Sequence, residues 1–277
     1  MGMIVRVLRV GSVAAVLAVA GCSAVDDGGR DWNPDHQPGY VAPGREGATP
    51  VPTWPGSGSG LGLPGVGQGE PSQPDHEVRG GSGYAASPAV FQLINGSDVV
   101  RVSVGDLGGD LFSVSTPAES RVVPAVSVDG NTVVAGLRDS GVGGPAIVNV
   151  VLATDVRWQV RLSGGASDEA VDLTGGAGGD VELTAGTSRA EVFLPAASGT
   201  QSVTMSGGAG RLLVHLGGNA PVRVAARNGA ADVTIDGQTR NGVPGGSVFT
   251  PAGWDTAKDR FDVDATAGVS DLSVGRS

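Results

Sequence analysis

Apolar residues recur along the second half of this chain as an apolar-any-apolar triplet: Val160/Leu162, Val171/Leu173, Val181/Leu183, Val192/Leu194, Val203/Met205, Leu212/Val214, Val222/Val224 and Val233/Ile235. Successive triplets begin 9 to 11 residues apart, separated by turns of small residues such as Gly164/Gly165, Gly175/Gly176, Gly207/Gly208, Gly217/Gly218 and Asn228/Gly229. A period of two places each triplet on one face of a short strand and turns Asp172, Glu182, Thr204 and Thr234 to the other. A unit this short buries its apolar face only by stacking on its neighbours, which is the logic of a solenoid. Two units per coil, about 21 residues, predict a flattened β-helix of two facing sheets that rises about 4.8 Å per coil. A β-sandwich also accommodates short strands at this spacing. The brevity of the strands and the scarcity of aromatic residues in the repeat favour the solenoid.

The pattern extends in both directions. Upstream, alternation predicts strands at Val99 to Val104, Leu111 to Val114, Val122 to Val128, Thr132 to Leu137, Ile147 to Leu152 and Trp158 to Leu162. Asp129, Gly130 and Asn131 read as the turn of a hairpin. Downstream, Phe261, Val263 and Ala265 alternate with Asp262 and Asp264, and Val269, Leu272 and Val274 follow Gly268. No stretch sustains a helical period, so residues 88–277 are expected to form an all-β domain.

Before that domain the pattern is lost. Residues 22–87 are rich in Gly, Pro and Ser, cannot bury enough apolar surface to offset chain entropy, and are expected to be a disordered linker. Residues 1–21 carry Arg6 and Arg9 followed by the apolar run Val10 to Ala20, the parts of an export signal. That run is about half of the roughly 20 residues needed to span a bilayer, so a cleaved signal peptide is expected. The run Leu17, Ala18, Val19, Ala20, Gly21, Cys22 resembles a bacterial lipobox. The resemblance implies a lipoprotein cut before Cys22, whose thiol and new amino terminus carry diacylglycerol and an acyl chain such as palmitate. Several acyl chains anchor stably, since each buried methylene contributes about 0.8 kcal/mol. The expected location is the extracytoplasmic side of the cell membrane.

Cys22 is the only cysteine, so lipidation there leaves none for a disulfide, a thiolate metal site or a nucleophile. The net charge of -10 repels phosphate backbones and argues against nucleic acid as a partner. His215, on the strand Leu212 to Leu216, is expected on its solvent face, with no hydrolase signature around it. Gly175 to Leu183 resembles the calcium-binding nonapeptide of β-roll proteins, but Glu182 stands where that motif has an apolar residue, and the neighbouring repeats lack the counterpart of Asp180. No metal or cofactor is therefore expected. Asp262 and Asp264 share one strand face and define the alternative of an enzyme acting on envelope polysaccharide. A solvated outer face explains them more simply.

The Gly-separated triplets, together with the alternating stretch from Trp254 to the end, resemble the adhesin-type repeat domain of bacterial envelope proteins. They also resemble the related carboxy-terminal domain of cell-wall-active antibiotic response proteins. The resemblance spans residues 97–277 and brings no catalytic or ligand residues. It implies a non-enzymatic binding or structural role in the cell envelope, adhesin-like or linked to envelope stress, with a wall polymer or an envelope protein as partner.

Overall fold

The computed structural model describes residues 75–81 and 88–277. The signal segment 1–21, the lipidation site Cys22 and most of the linker lie outside the described residues.

In chain order the strands are β1 (Glu77–Gly80), β2 (Ala89–Leu93), β3 (Val99–Gly105), β4 (Phe112–Ser115), β5 (Val122–Asp129), β6 (Thr132–Asp139) and β7 (Ile147–Ala153). The repeat follows as β8 (Trp158–Leu162), β9 (Ala166–Asp172), β10 (Gly179–Leu183), β11 (Thr187–Leu194), β12 (Thr200–Met205) and β13 (Ala209–Leu216). The chain ends with β14 (Val222–Ala226), β15 (Ala230–Ile235), β16 (Gln238–Val243), β17 (Ser247–Phe249), β18 (Arg260–Ala265) and β19 (Val269–Arg276). All six upstream strands expected from alternation form, and the β5–β6 hairpin turns through Gly130 at φ +55°. The domain is all-β, with one short 3-10 turn at Trp254–Thr256.

Two mixed sheets hold these strands. One runs β1-β4-β7-β3-β9-β11-β13-β19-β15-β16 and the other β17-β14-β18-β12-β10-β8-β2-β6-β5. From β8 to β13 the chain crosses between the sheets at every strand, so each successive pair forms one rung. Neighbouring rungs pair in parallel and in register, which aligns Leu162, Leu183, Met205 and Ala265 in one column. Val171, Val192, Val214 and Val274 are aligned in the other sheet. These columns meet in a single hydrophobic core. Trp158 is its largest fully buried side chain, and its indole N–H donates to the Ala153 carbonyl at 2.9 Å.

The ladder continues through the corners. Ser163, Thr184, Ser206 and Thr266 each donate a backbone N–H to Leu93, Leu162, Leu183 and Met205 one rung away, at 2.8 to 2.9 Å. Corners this close leave little room for side chains. A Cβ on Gly207 would stand 2.0 Å from the Ala185 carbonyl carbon, and one on Gly164 the same distance from that of Asn95. The small-residue turns of the repeat are thus a steric requirement of rung-on-rung contact.

At both ends the order departs from that expected. Units stacked on their sequence neighbours would place β2/β3 outermost and β14/β15 before β18/β19. Instead β6/β7 lies outside β2/β3, and β18/β19 inserts between β12/β13 and β14/β15. Antiparallel strands then finish each edge: β5 on β6, β4 on β7 with β1 on β4, β17 on β14, and β16 on β15. The apolar pattern fixes which residues face inward but not which rung lies beside which, since all rungs present similar columns. Residues 77–80, inside the stretch expected to be linker, form β1. Val78 packs on the core, and Glu77 accepts a hydrogen bond from the Ser113 hydroxyl at 2.9 Å.

Candidate binding surfaces

Parallel, in-register stacking converts the polar positions of the repeat into rows across the outside of each sheet. On the sheet containing β10, one row runs Arg161, Glu182, Thr204, Asp264 and Ala225, and the adjacent row contains Gln159, Asp180, Ser202, Asp262 and Arg223. Like charges directly opposite would repel. Here Ser202 and Thr204 on β12 separate the acids of β10 from those of β18, and arginines flank the set. Arg161 donates to Glu182 at 2.6 Å, Arg227 to Asp264 at 2.7 Å, and Arg223 to both oxygens of Asp262. Ser202 donates its backbone N–H and its hydroxyl to Asp180, each at 2.8 Å. At the end of the rows, Arg223 and Arg260 lie 4.2 and 4.7 Å from the ring centre of the buried Trp254. The result is a flat polar comb whose teeth hold one another.

The structure places the acids singled out in the sequence, Asp180, Glu182, Asp262 and Asp264, on this comb. Asp262 and Asp264 share the outer face of β18 as expected, but each is matched to an arginine. A carboxylate with both oxygens occupied, as in Asp262, is poorly placed to pass a proton to a substrate. Glu182 and Asp180 of the nonapeptide-like stretch are engaged by Arg161 and Ser202 rather than converging on a common point. The other sheet carries its own ion pairs, Arg101–Asp168, Arg189–Glu191 and Arg211–Asp271. His215 lies on that outer face, with Nε2 3.0 Å from Glu191 Oε1 and its ring stacked on Phe193 at 4.4 Å.

A second feature was not anticipated from the sequence. At the β14/β15 end, a cleft of about 510 Å³ opens between the edge strands β16 and β17. Its lining includes the apolar residues Val222, Ile235, Val248 and Phe249, the cations Arg240 and Arg276 and the acid Asp236. Arg276 lies 3.6 Å from Asp236. The Arg240 guanidinium sits 4.9 Å over the Phe249 ring and, among the described residues, has no acidic partner. A local signal for β16 exists: Asp236-Gly237 follows the triplet Val233/Ile235. Both turn residues have positive φ, +46° and +79°, as a type I′ hairpin demands.

No family model and no curated protein matches the chain. Among solved structures it is similar to that of a "putative cell adhesion protein" from Clostridium sporogenes, with 16% identity and a TM-score of 0.54. The match covers 73% of this chain and 99% of that one. At such identity the likeness bears on the fold alone.

Proposed function

We propose that this chain is a membrane-anchored lipoprotein. Its β domain, a flattened β-solenoid with exchanged terminal rungs, makes adhesin-like, non-catalytic contact with a polymer or protein of the cell envelope. The observation that carries the reading is the outer comb. Its polar side chains repeat at the strand spacing of about 4.8 Å and are fixed by mutual ion pairs and hydrogen bonds. Such a surface is pre-organised for many shallow contacts, so a partner loses little to ordering it. The lipobox-like run at Cys22 and the name of the clostridial structure agree with this role.

Two experiments test the two halves of the proposal. Full-length protein in detergent should cosediment with purified, lipid-free cell-wall polymer, and joint Arg161→Glu and Arg223→Glu substitution should weaken retention severalfold. Retention that ignores the substitutions, or polymer cleavage that depends on Asp262 and Asp264, would reject the binding role. Separately, Cys22→Ser should shift the protein out of the membrane fraction and abolish incorporation of a labelled fatty acid. Continued labelling and membrane retention would reject the anchor.

A further inference from the structure

Four strands end the two sheets, and they are not equivalent. An open strand edge is a template for another chain, and proteins usually blunt it. β5 contains Pro124, which has no N–H to offer, β17 is three residues long, and β1 is four residues long with a charged Glu77–Arg79 pair. β16 is six residues long, contains no proline, carries the single charge of Arg240, and is exposed along Gln238 to Gly242, with the left-handed Gly242 at φ +63° bending only its far end. Its pairing with β15 through a two-residue turn leaves the main-chain groups of Thr239 and Asn241 directed to the open side.

The side chains of β16 separate by face. Thr239 and Asn241 bond to Thr234 and Asp232 on β15, whereas Gln238 and Arg240 line the apolar cleft. A strand laid beside β16 would therefore direct alternate residues into that cleft, about 7 Å apart. The residue opposite Arg240 would meet a guanidinium that lacks an acidic partner in a chain of net charge -10. The residue two positions away, beside Gln238, would meet the floor formed by Val222, Ile235 and Phe249.

We propose that this end of the stack binds an extended peptide segment of a partner protein, added as a further strand on β16. The segment carries Asp or Glu opposite Arg240 and an apolar residue two positions away, in the cleft. Main-chain bonds to β16 supply affinity, and the two alternate side chains supply specificity. The location suits such contact. The linker enters at β1, and the sheet places β16 nine strand spacings away, about 43 Å across the domain. This deepens the binding reading above and rests on it, naming the partner's chemistry at one site.

The test is selection of a phage-displayed random heptapeptide library on the full chain adsorbed to plate wells, in parallel with Arg240→Glu. Wild type should enrich sequences with an apolar residue two positions from Asp or Glu, and Arg240→Glu should exchange the acid for Lys or Arg. N-methylation of alternate amides in an enriched peptide should weaken binding at least tenfold if the peptide adds as a strand. Absence of enrichment, the same motif on both proteins, or indifference to N-methylation would each overturn the proposal. The readout uses neither wall polymer nor the lipid anchor, so failure of the comb or of Cys22 would be seen separately.

Discussion

Replacing Glu169 with methionine should raise the melting temperature of the domain, and raise it most at alkaline pH. Glu169 lies on β9 in register with Val100 and Ala190, is 1% exposed, and has no hydrogen-bond partner for either carboxylate oxygen. Burial, with the negative charge of adjacent Asp168 adding to it, pushes its pKa up to about 8 from 4.5. The folded domain therefore holds a proton that the unfolded chain releases. Stability contributed by this linkage is fully present below about pH 4.5, declines as pH rises from there to about 8, and is level above. The slope inside the window approaches about 1.4 kcal/mol per pH unit, a large share of the roughly 5 to 15 kcal/mol that holds a domain folded.

Two other carboxylates act at the acid end, away from this window. Asp98 is held below its usual pKa by the Ala146 backbone N–H and Arg121, and Glu77 by the Ser113 hydroxyl and Arg79. Both contributions are lost only as pH falls through the carboxylate range. Melting curves at pH 5, 6.5 and 8 should thus show wild type weakening steadily while Glu169→Met stays level. Methionine has similar length and needs no partner. Glu169→Gln should also level the profile but gain less, because its amide stays unsatisfied. An unchanged slope in both variants would show that the carboxyl is not buried as described.

Glu169 also marks a limit of sequence reading. It stands two residues before Val171, so alternation alone turns it inward. A carboxylate in the run Asp168, Glu169 nevertheless reads as surface, because residue type and period disagree there and the type usually prevails. Where the two agree, the sequence was a sufficient guide: the repeat triplets line the core, and the intervening acids and threonines line the outer rows. The exchanged terminal rungs were hidden for another reason. Neighbour choice among rungs depends on the loops and edge hairpins rather than on period. The end cleft was hidden with them, since Arg240 and Phe249 meet only because β16 and β17 fold back on β15 and β14.

Leu183→Asp should abolish cooperative folding of the domain. Leu183 is 1% exposed at the middle of a column running Leu93, Leu162, Leu183, Met205, Ala265 and Ala226. The substitution forfeits about 1.5 to 3 kcal/mol of burial and adds a desolvated charge with no cation among the buried described residues to meet it. The damage is not local, because β10 is paired with β8 on one side and β12 on the other, and both lose a packed neighbour at once. Glu182→Ala, one residue away on the outer face, supplies the contrast. It removes a half-exposed ion pair to Arg161, so its cost should stay within about 1 kcal/mol. Circular dichroism and thermal melts of the two variants read the alternation directly: if they melted alike, the inside and outside of β10 would have to be exchanged, and with them the residues that form the outer comb.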